Sequence, residues 1–306
     1  MAIELSNLTF TDENDVVPTS GVESILNTGI ANTLAGNDRI TGIGNENGIA
    51  NGGSINTGNG NDKIIGISYS TEEYYFGFVT SGNFNSGDGN DRITGLGPIG
   101  IFQYGQYGPT GINRFETGEG NDIITGIGRN IGLASYGSVI LTGGGNDIII
   151  GSGGSVGINT QAGYGGSGGI YTEDGDDIII GSGQIGISRS GGYIDTGDGN
   201  DSIIANGGFG GYGYVVLGYG NDYLKGFDRS YYFGTGNYYQ PQPDEDTLEL
   251  TSGSYTVSYT VEQWGTAVNF TKDDIIMTTF QFEKLIAGST TYDFSSLTEG
   301  QTIVVA

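Results

Sequence analysis

The chain has 306 residues, with 35 acidic against 10 basic side chains, a net charge of −25, no histidine and no cysteine. These counts exclude Cys and His nucleophiles, the Ser-His-Asp triad, haem ligation by His and Cys/His zinc sites, leaving only oxygen-ligand metals. A surface this acidic repels phosphate backbones and anionic lipid, so nucleic acid is not an expected partner, and no apolar run approaches the roughly 20 residues that span a bilayer.

Taken in chain order, residues 1–30 read as an N-terminal cap and a first degenerate coil, with a weak repeat copy, TDENDVV, around Asp15. Residues 1–17 carry neither a basic segment nor an apolar run, so no cleavable leader is expected there. From 31 to 243 the 61 glycines of the chain mostly punctuate a repeat: LAGND ends at Asp38, followed by GNGND (58–62), GDGND (87–91), GEGND (118–122), GGGND (143–147), EDGDD (173–177), GDGND (197–201) and GYGND (218–222). A last weak copy, PDEDTLEL, surrounds Asp246.

Alignment on the aspartate exposes three apolar columns. Two residues later stand Val17, Ile40, Ile64, Ile93, Ile124, Ile149, Ile179, Ile203, Leu224 and Leu248; seven residues earlier stand Ala31, Ile55, Phe84, Phe115, Ile140, Ile170, Ile194 and Val215. The third column runs Ile25, Ile49, Phe78, Ile101, Leu133, Ile158, Ile187 and Phe209. Each unit thus predicts three short strands with inward apolar residues, too few to bury a face alone, so the units must stack. An antiparallel sandwich predicts alternating hairpins and gives no reason for one column per phase. The expected fold is therefore all-β, a right-handed parallel β-solenoid with coils of about 24 residues, a rise of about 4.8 Å per coil and a rod of about 45 Å.

Segments 67–76, 102–111, 159–169 and 227–240 read as insertions on the sides of the rod. From residue 244 to 306 the glycine punctuation gives way to alternation, aromatics and the single Trp, which predicts a C-terminal β cap over the last coil and the ending DFSSLTEGQTIVVA as an uncleaved export signal.

Stacking places the repeated carboxylates about 4.8 Å apart, where neighbours repel by about 3–4 kcal/mol at an effective dielectric near 20. Such a column calls for a cation, and carboxylates with exposed Gly carbonyls form the oxygen shell of Ca²⁺ rather than the strict octahedron of Mg²⁺. TGNGNDKII, SGDGNDRIT, TGEGNDIIT, TGGGNDIII and TGDGNDSII resemble the RTX, or hemolysin-type calcium-binding, nonapeptide G-G-x-G-x-D-x-U-x from its second glycine onward.

The resemblance implies ions held between successive loops by the Asp side chain and loop carbonyls. It marks as ligand positions Asp38, Gly58, Gly60, Asp62, Gly87, Gly89, Asp91, Gly118, Gly120, Asp122, Gly143, Gly145, Asp147, Gly175, Asp177, Gly197, Gly199, Asp201, Gly218, Gly220 and Asp222. At Asp38 the match is poorer, because Leu34 and Ala35 replace the glycine and the freely chosen residue. Family repeats usually follow without a gap; here every second loop is a longer, non-acidic segment, which predicts one ion column with up to seven Ca²⁺ ions. Seven ions would supply about +14 against the −25 of the chain. The resemblance also implies type I export to the extracellular space, with folding completed by calcium there.

Other columns are read as structural. Asn37, Asn61, Asn90, Asn121, Asn146, Asn200 and Asn221 predict a hydrogen-bonded ladder, and Thr33, Thr57, Ser86, Thr117, Thr142, Thr172 and Thr196 an internal hydroxyl ladder. Ice binding is disfavoured because the variable loop slot lacks Thr. Ile123, Ile148, Ile150, Ile178, Ile180 and Ile204 point outward and suggest either a strip covered by loops or a self-association surface. The tyrosines in the insertions and in GGFGGYGYVVLGYGNDY suggest a glycan or cell-surface protein contact. No constellation points to catalysis. The reading is a secreted, non-catalytic calcium-binding solenoid; a self-assembling filament or surface-layer subunit and an enzyme using the solenoid as scaffold are the alternatives.

Overall fold

The computed structural model describes residues 2–18, 23–105, 113–163, 168–235 and 244–306. The three apolar columns become the inward faces of three parallel ladders, and the chain winds as an all-β parallel β-solenoid of about nine turns. In the first ladder Val17, Ile40, Ile64, Ile93, Ile124, Ile149, Ile179, Ile203, Leu224 and Leu248 pair in unbroken register from coil to coil. The second runs from Ile3 through Ile25 and Ile49 to Phe209, and the third from Ala31 through Phe84 and Phe115 to Val215 and Tyr232. Apart from the half-buried Ile3, which packs against the others, these residues are almost fully buried and form one continuous core. With period-2 alternation, a slip of one residue would turn a whole strand's apolar set outward, so register is fixed by burial.

The turn between the first and second ladders is pinched, which the apolar columns alone do not indicate. Gly42, Gly66, Gly95, Gly126, Gly151 and Gly181 lie against the backbone of the returning strand: a Cβ on Gly126 would sit 2.2 Å from the carbonyl oxygen of Gly132, and one on Gly95 2.2 Å from that of Gly100. Each coil is so thin at this corner that the two strands meet backbone to backbone.

Part of the expected insertions is strand. Phe102, Gln103 and Tyr104 extend Arg92–Tyr104 and pair with Ala134, Ser135 and Tyr136, and Asn159, Thr160 and Gln161 pair in the same ladder. The remainder of 102–111 from 106 onward, residues 164–167 of 159–169, and residues 236–240 of 227–240 lie outside the described residues. Of the two insertions between which an enzymatic cleft would have to open, 67–76 is described throughout and 102–111 as far as 105.

At the C-terminal end the strands turn antiparallel, with Gly253–Glu262 pairing both Gly265–Lys272 and Thr302–Val305. This region is stitched onto the rod by parallel pairing: Ile275–Phe280 continues the third ladder from Tyr231–Phe233, and Lys284–Ala287 continues the first from Thr247–Glu249. The open edges of the last first-ladder and third-ladder strands are thereby paired, and Tyr255, Phe270, Met277, Leu285 and Ile303 close the end of the core.

Candidate metal centre: a buried aspartate ladder

The loop preceding each first-ladder strand is shaped by two glycines in left-handed conformations. Gly58 and Gly60 have φ of +87° and +147°, and Gly87/Gly89, Gly118/Gly120, Gly143/Gly145, Gly197/Gly199 and Gly218/Gly220 repeat the pair. Gly175 keeps the second position, while Glu173 takes the first at φ +70° and Leu34 does the same at +77°. These two non-glycine residues accept an unfavourable backbone region so that their coils stay in step. The glycine carbonyls point along the rod axis: a Cβ on Gly87 would lie 1.9 Å from the oxygen of Gly58, and one on Gly89 1.8 Å from that of Gly60.

All eight sequence-predicted aspartates come together in one buried column. Asp38, Asp62, Asp91, Asp122, Asp147, Asp177, Asp201 and Asp222 are 0–2 % exposed. Each Oδ1 accepts the backbone N–H of the equivalent aspartate one coil earlier: Asp38 N–H to Asp62 at 2.7 Å, Asp91 N–H to Asp122 at 2.7 Å, and so on to Asp201 N–H to Asp222 at 2.7 Å. The column extends beyond the predicted set. Asp15 donates to Asp38, Asp222 donates to Asp246 at 3.0 Å, and Asp246 donates to Glu283 Oε2 at 2.8 Å.

The other carboxylate oxygen is left over. Oδ2 of Asp38, Asp62, Asp91, Asp122, Asp147, Asp177, Asp201, Asp222 and Asp246 is buried with no hydrogen-bond partner. A repeated orphan of this kind is costly, because a buried charged oxygen loses its water shell and regains nothing. Desolvation is accordingly the main influence on these carboxyls. It raises Asp62, Asp122, Asp177, Asp201 and Asp222 to about 7, Asp91 and Asp147 to about 6 and Asp246 to about 8, from an ordinary value of 3.8, and raises Asp38 as well. The nearby Thr or Ser hydroxyl opposes the rise at Asp38 through Asp201, and neighbouring carboxylates add to it, as Asp91 and Asp38 do at Asp62.

Two companion ladders hold the loops in place. The asparagines run the opposite way: Asn61 N–H donates to Asn37 Oδ1, Asn90 N–H to Asn61 and Asn121 N–H to Asn90, each at 2.7 Å. Each coil is therefore tied backward by its aspartate and forward by its asparagine. The hydroxyls of Thr33, Thr57, Ser86, Thr117, Thr142, Thr172 and Thr196 donate to the next coil's carbonyl at 2.7–3.4 Å.

Sequence reasoning missed a second buried polar column. Asn27, Asn51, Thr80, Gln103, Ser135, Thr160 and Arg189 follow the second-ladder core residue by two positions and stack in register. Amide and hydroxyl bonds link its rungs, such as Asn27 Nδ2 to Asn51 Oδ1 at 2.9 Å and Asn51 Nδ2 to Thr80 Oγ1 at 3.0 Å. It ends in a fully buried Arg189, whose guanidinium lies 4.7 Å and 5.0 Å from the ring centres of Phe209 and Tyr232, donates to the Tyr232 hydroxyl at 2.8 Å and approaches Asp228 at 3.9 Å. The signal was present as an invariantly polar position two after an invariantly apolar one.

Outside the rod, Ile123, Ile148 and Ile178 form one row, and Thr125, Ile150, Ile180 and Ile204 another, all half-buried by their own neighbours. Tyr193, Tyr214 and Tyr231 stack at 5.1 and 5.8 Å with Trp264 edge-on to the last two.

No family model, no curated protein and no solved structure matches this chain. The chemistry of the donor set therefore stands on its own. Buried, unpaired carboxylate oxygens in a column, beside Gly loops whose carbonyls face along the same axis, fit a hard oxygen-seeking cation such as Ca²⁺ and no softer metal.

Proposed function

We propose that this chain is a calcium-stabilised, non-catalytic β-solenoid of the RTX type, exported with its coils unfolded and folded by Ca²⁺ outside the cell, where it serves a binding or scaffolding role. The observation that carries the reading is the orphaned Oδ2 at every rung. Asp38, Asp62, Asp91, Asp122, Asp147, Asp177, Asp201 and Asp222 would supply carboxylate ligands at up to seven interfaces, with the paired glycine carbonyls completing the shell. Bound ions neutralise the column, and because no such site exists in the unfolded chain, their binding energy becomes folding energy.

At pH 7.5 the far-ultraviolet circular dichroism is expected to lose part of its β signal in EGTA and regain it in millimolar Ca²⁺; superimposable spectra would sink the reading. Asp122→Asn sharpens this, since the amide keeps an oxygen to accept the Asp91 N–H but carries no charge. With Ca²⁺ it is expected to cost about 1–2 kcal/mol, and in EGTA to stabilise by relieving repulsion. A purely hydrogen-bonding ladder would tolerate the amide equally in both conditions.

The in-register aliphatic rows favour a second element of the reading, lateral self-association. Sedimentation of the calcium-loaded protein is expected to show a species heavier than the monomer that Ile150→Asp with Ile180→Asp reduces to monomer. A wild-type protein that sediments as a monomer at all concentrations removes the idea.

A further inference from the structure

We infer that a cation site beyond the eight sequence-predicted stations lies where the last coil meets the antiparallel region, built from Asp244, Asp246 and Glu283 and taking a hard divalent ion. One carboxylate oxygen from each of these residues lies within 4.8 Å of the others. Two come from the final degenerate repeat and one from the segment leading into Lys284–Ala287, so the cluster joins parts of the chain that the repeat itself does not connect.

Proximity of acids alone would not make a site. Here Asp246 is fully buried, its Oδ1 already accepts the Asp222 N–H, and its Oδ2 has no partner. That oxygen faces the Cα of Gly234, where an added Cβ would lie 2.2 Å from Asp246 Oδ2 and 2.0 Å from the carbonyl oxygen of Gln281. A backbone carbonyl and an orphaned carboxylate oxygen thus crowd together against a position that only glycine can occupy. Oδ2 of Asp244 is also buried and unpartnered. The adjacent cation does not serve: Lys284 is held by Asp293 at 2.6 Å and by Glu245 at 3.6 Å.

Three carboxylates and a carbonyl form an all-oxygen, trianionic shell, suited to Ca²⁺, and the solvent-open Glu283 gives the ion a way in. The consequence is mechanical. An ion here ties the antiparallel region to the solenoid at the first ladder's end, in addition to the parallel pairing of Thr247–Glu249 with Lys284–Ala287.

The inference does not depend on calcium in the repeats, and ion counting separates the two. Bound Ca²⁺ per chain is measured by equilibrium dialysis with elemental analysis for the wild type, Asp244→Asn, Glu283→Gln and Asp122→Asn. Asp244→Asn removes no hydrogen bond of the ladder, and Glu283→Gln keeps an oxygen for the Asp246 N–H, so both preserve the fold's own bonds. Each is expected to bind one ion fewer than the wild type, and to expose the antiparallel region to trypsin in Ca²⁺ at least tenfold faster. A wild-type count of one, abolished by Asp244→Asn and untouched by Asp122→Asn, supports this site while removing the repeat ions. Several ions in the wild type and the same number in Asp244→Asn overturns this site while leaving the repeat reading intact. Should Glu283→Gln fail to fold, the count on Asp244→Asn decides.

Discussion

In EGTA the thermal midpoint is expected to fall by about 5 °C or more as pH is raised from 5 to 8, and millimolar Ca²⁺ is expected to remove or reverse that slope. The ladder aspartates from Asp62 to Asp246 titrate near 3.8 in the unfolded chain and, from burial, at about 6 to 8 in the folded one. Across this interval the folded state binds more protons than the unfolded state. The stability contributed by the protonated rungs is therefore complete below the unfolded value and is lost as pH rises through the folded values. A few tenths of a kcal/mol at each of these eight rungs accumulate to about 3 kcal/mol, and about 1 kcal/mol corresponds to about 2 °C in a chain of this size. Calcium acts in the opposite direction because it binds only the ionised carboxylates, so raising pH then strengthens the column. Scanning calorimetry at four pH values with and without Ca²⁺ checks both slopes; a midpoint independent of pH in EGTA would mean that the rungs are not desolvated as their burial requires.

Gly126→Val is expected to destabilise by about 3 kcal/mol or more, read as a lowered urea midpoint or as loss of soluble protein. A Cβ at this position would meet the Gly132 carbonyl oxygen at 2.2 Å and carbon at 2.7 Å, distances that backbone atoms cannot yield to. Relief requires the first and second ladders to separate at the pinched corner. Because Gly126 is in register with Gly95 and Gly151, the displacement spreads to the coils on either side. Gly144→Ala is the control. Its Cβ would meet only the flexible Glu119 carboxylate, at 2.8 Å, in the freely chosen slot of the loop, and the change is expected to stay within about 0.5 kcal/mol. Equal effects of the two substitutions would show that the corner is not the constraint.

Much of this architecture was legible in the one-dimensional pattern, for a physical reason particular to repeats. When identical units stack in parallel, residues equivalent in sequence become neighbours in space, so a column in an alignment is a column in the rod. That is why Ile40 through Leu248 and Thr33 through Thr196 could be placed before any coordinates, and why the asparagine column already suggested a hydrogen-bonded ladder. Leu34 shows where the inference weakened: it argued against the first station, yet it adopts the glycine-like conformation and Asp38 joins the ladder unchanged.

The sequence by itself determined which residues face inward, how many strands form each coil and that the carboxylates would align. Only the tertiary structure decided how those carboxylates are used. Whether a side chain reaches backward or forward, and which of its oxygens is left over, depends on loop dihedrals and on the distance to the next coil, quantities that spacing does not encode. The same holds at the two places where the repeat ends. Arg189 terminates the second polar column by reaching toward Asp228 and Tyr232 in later turns, and Glu283 receives the last ladder N–H from outside the repeat altogether. Those contacts join residues with no periodic relation, so they exist only once the chain has folded back on itself.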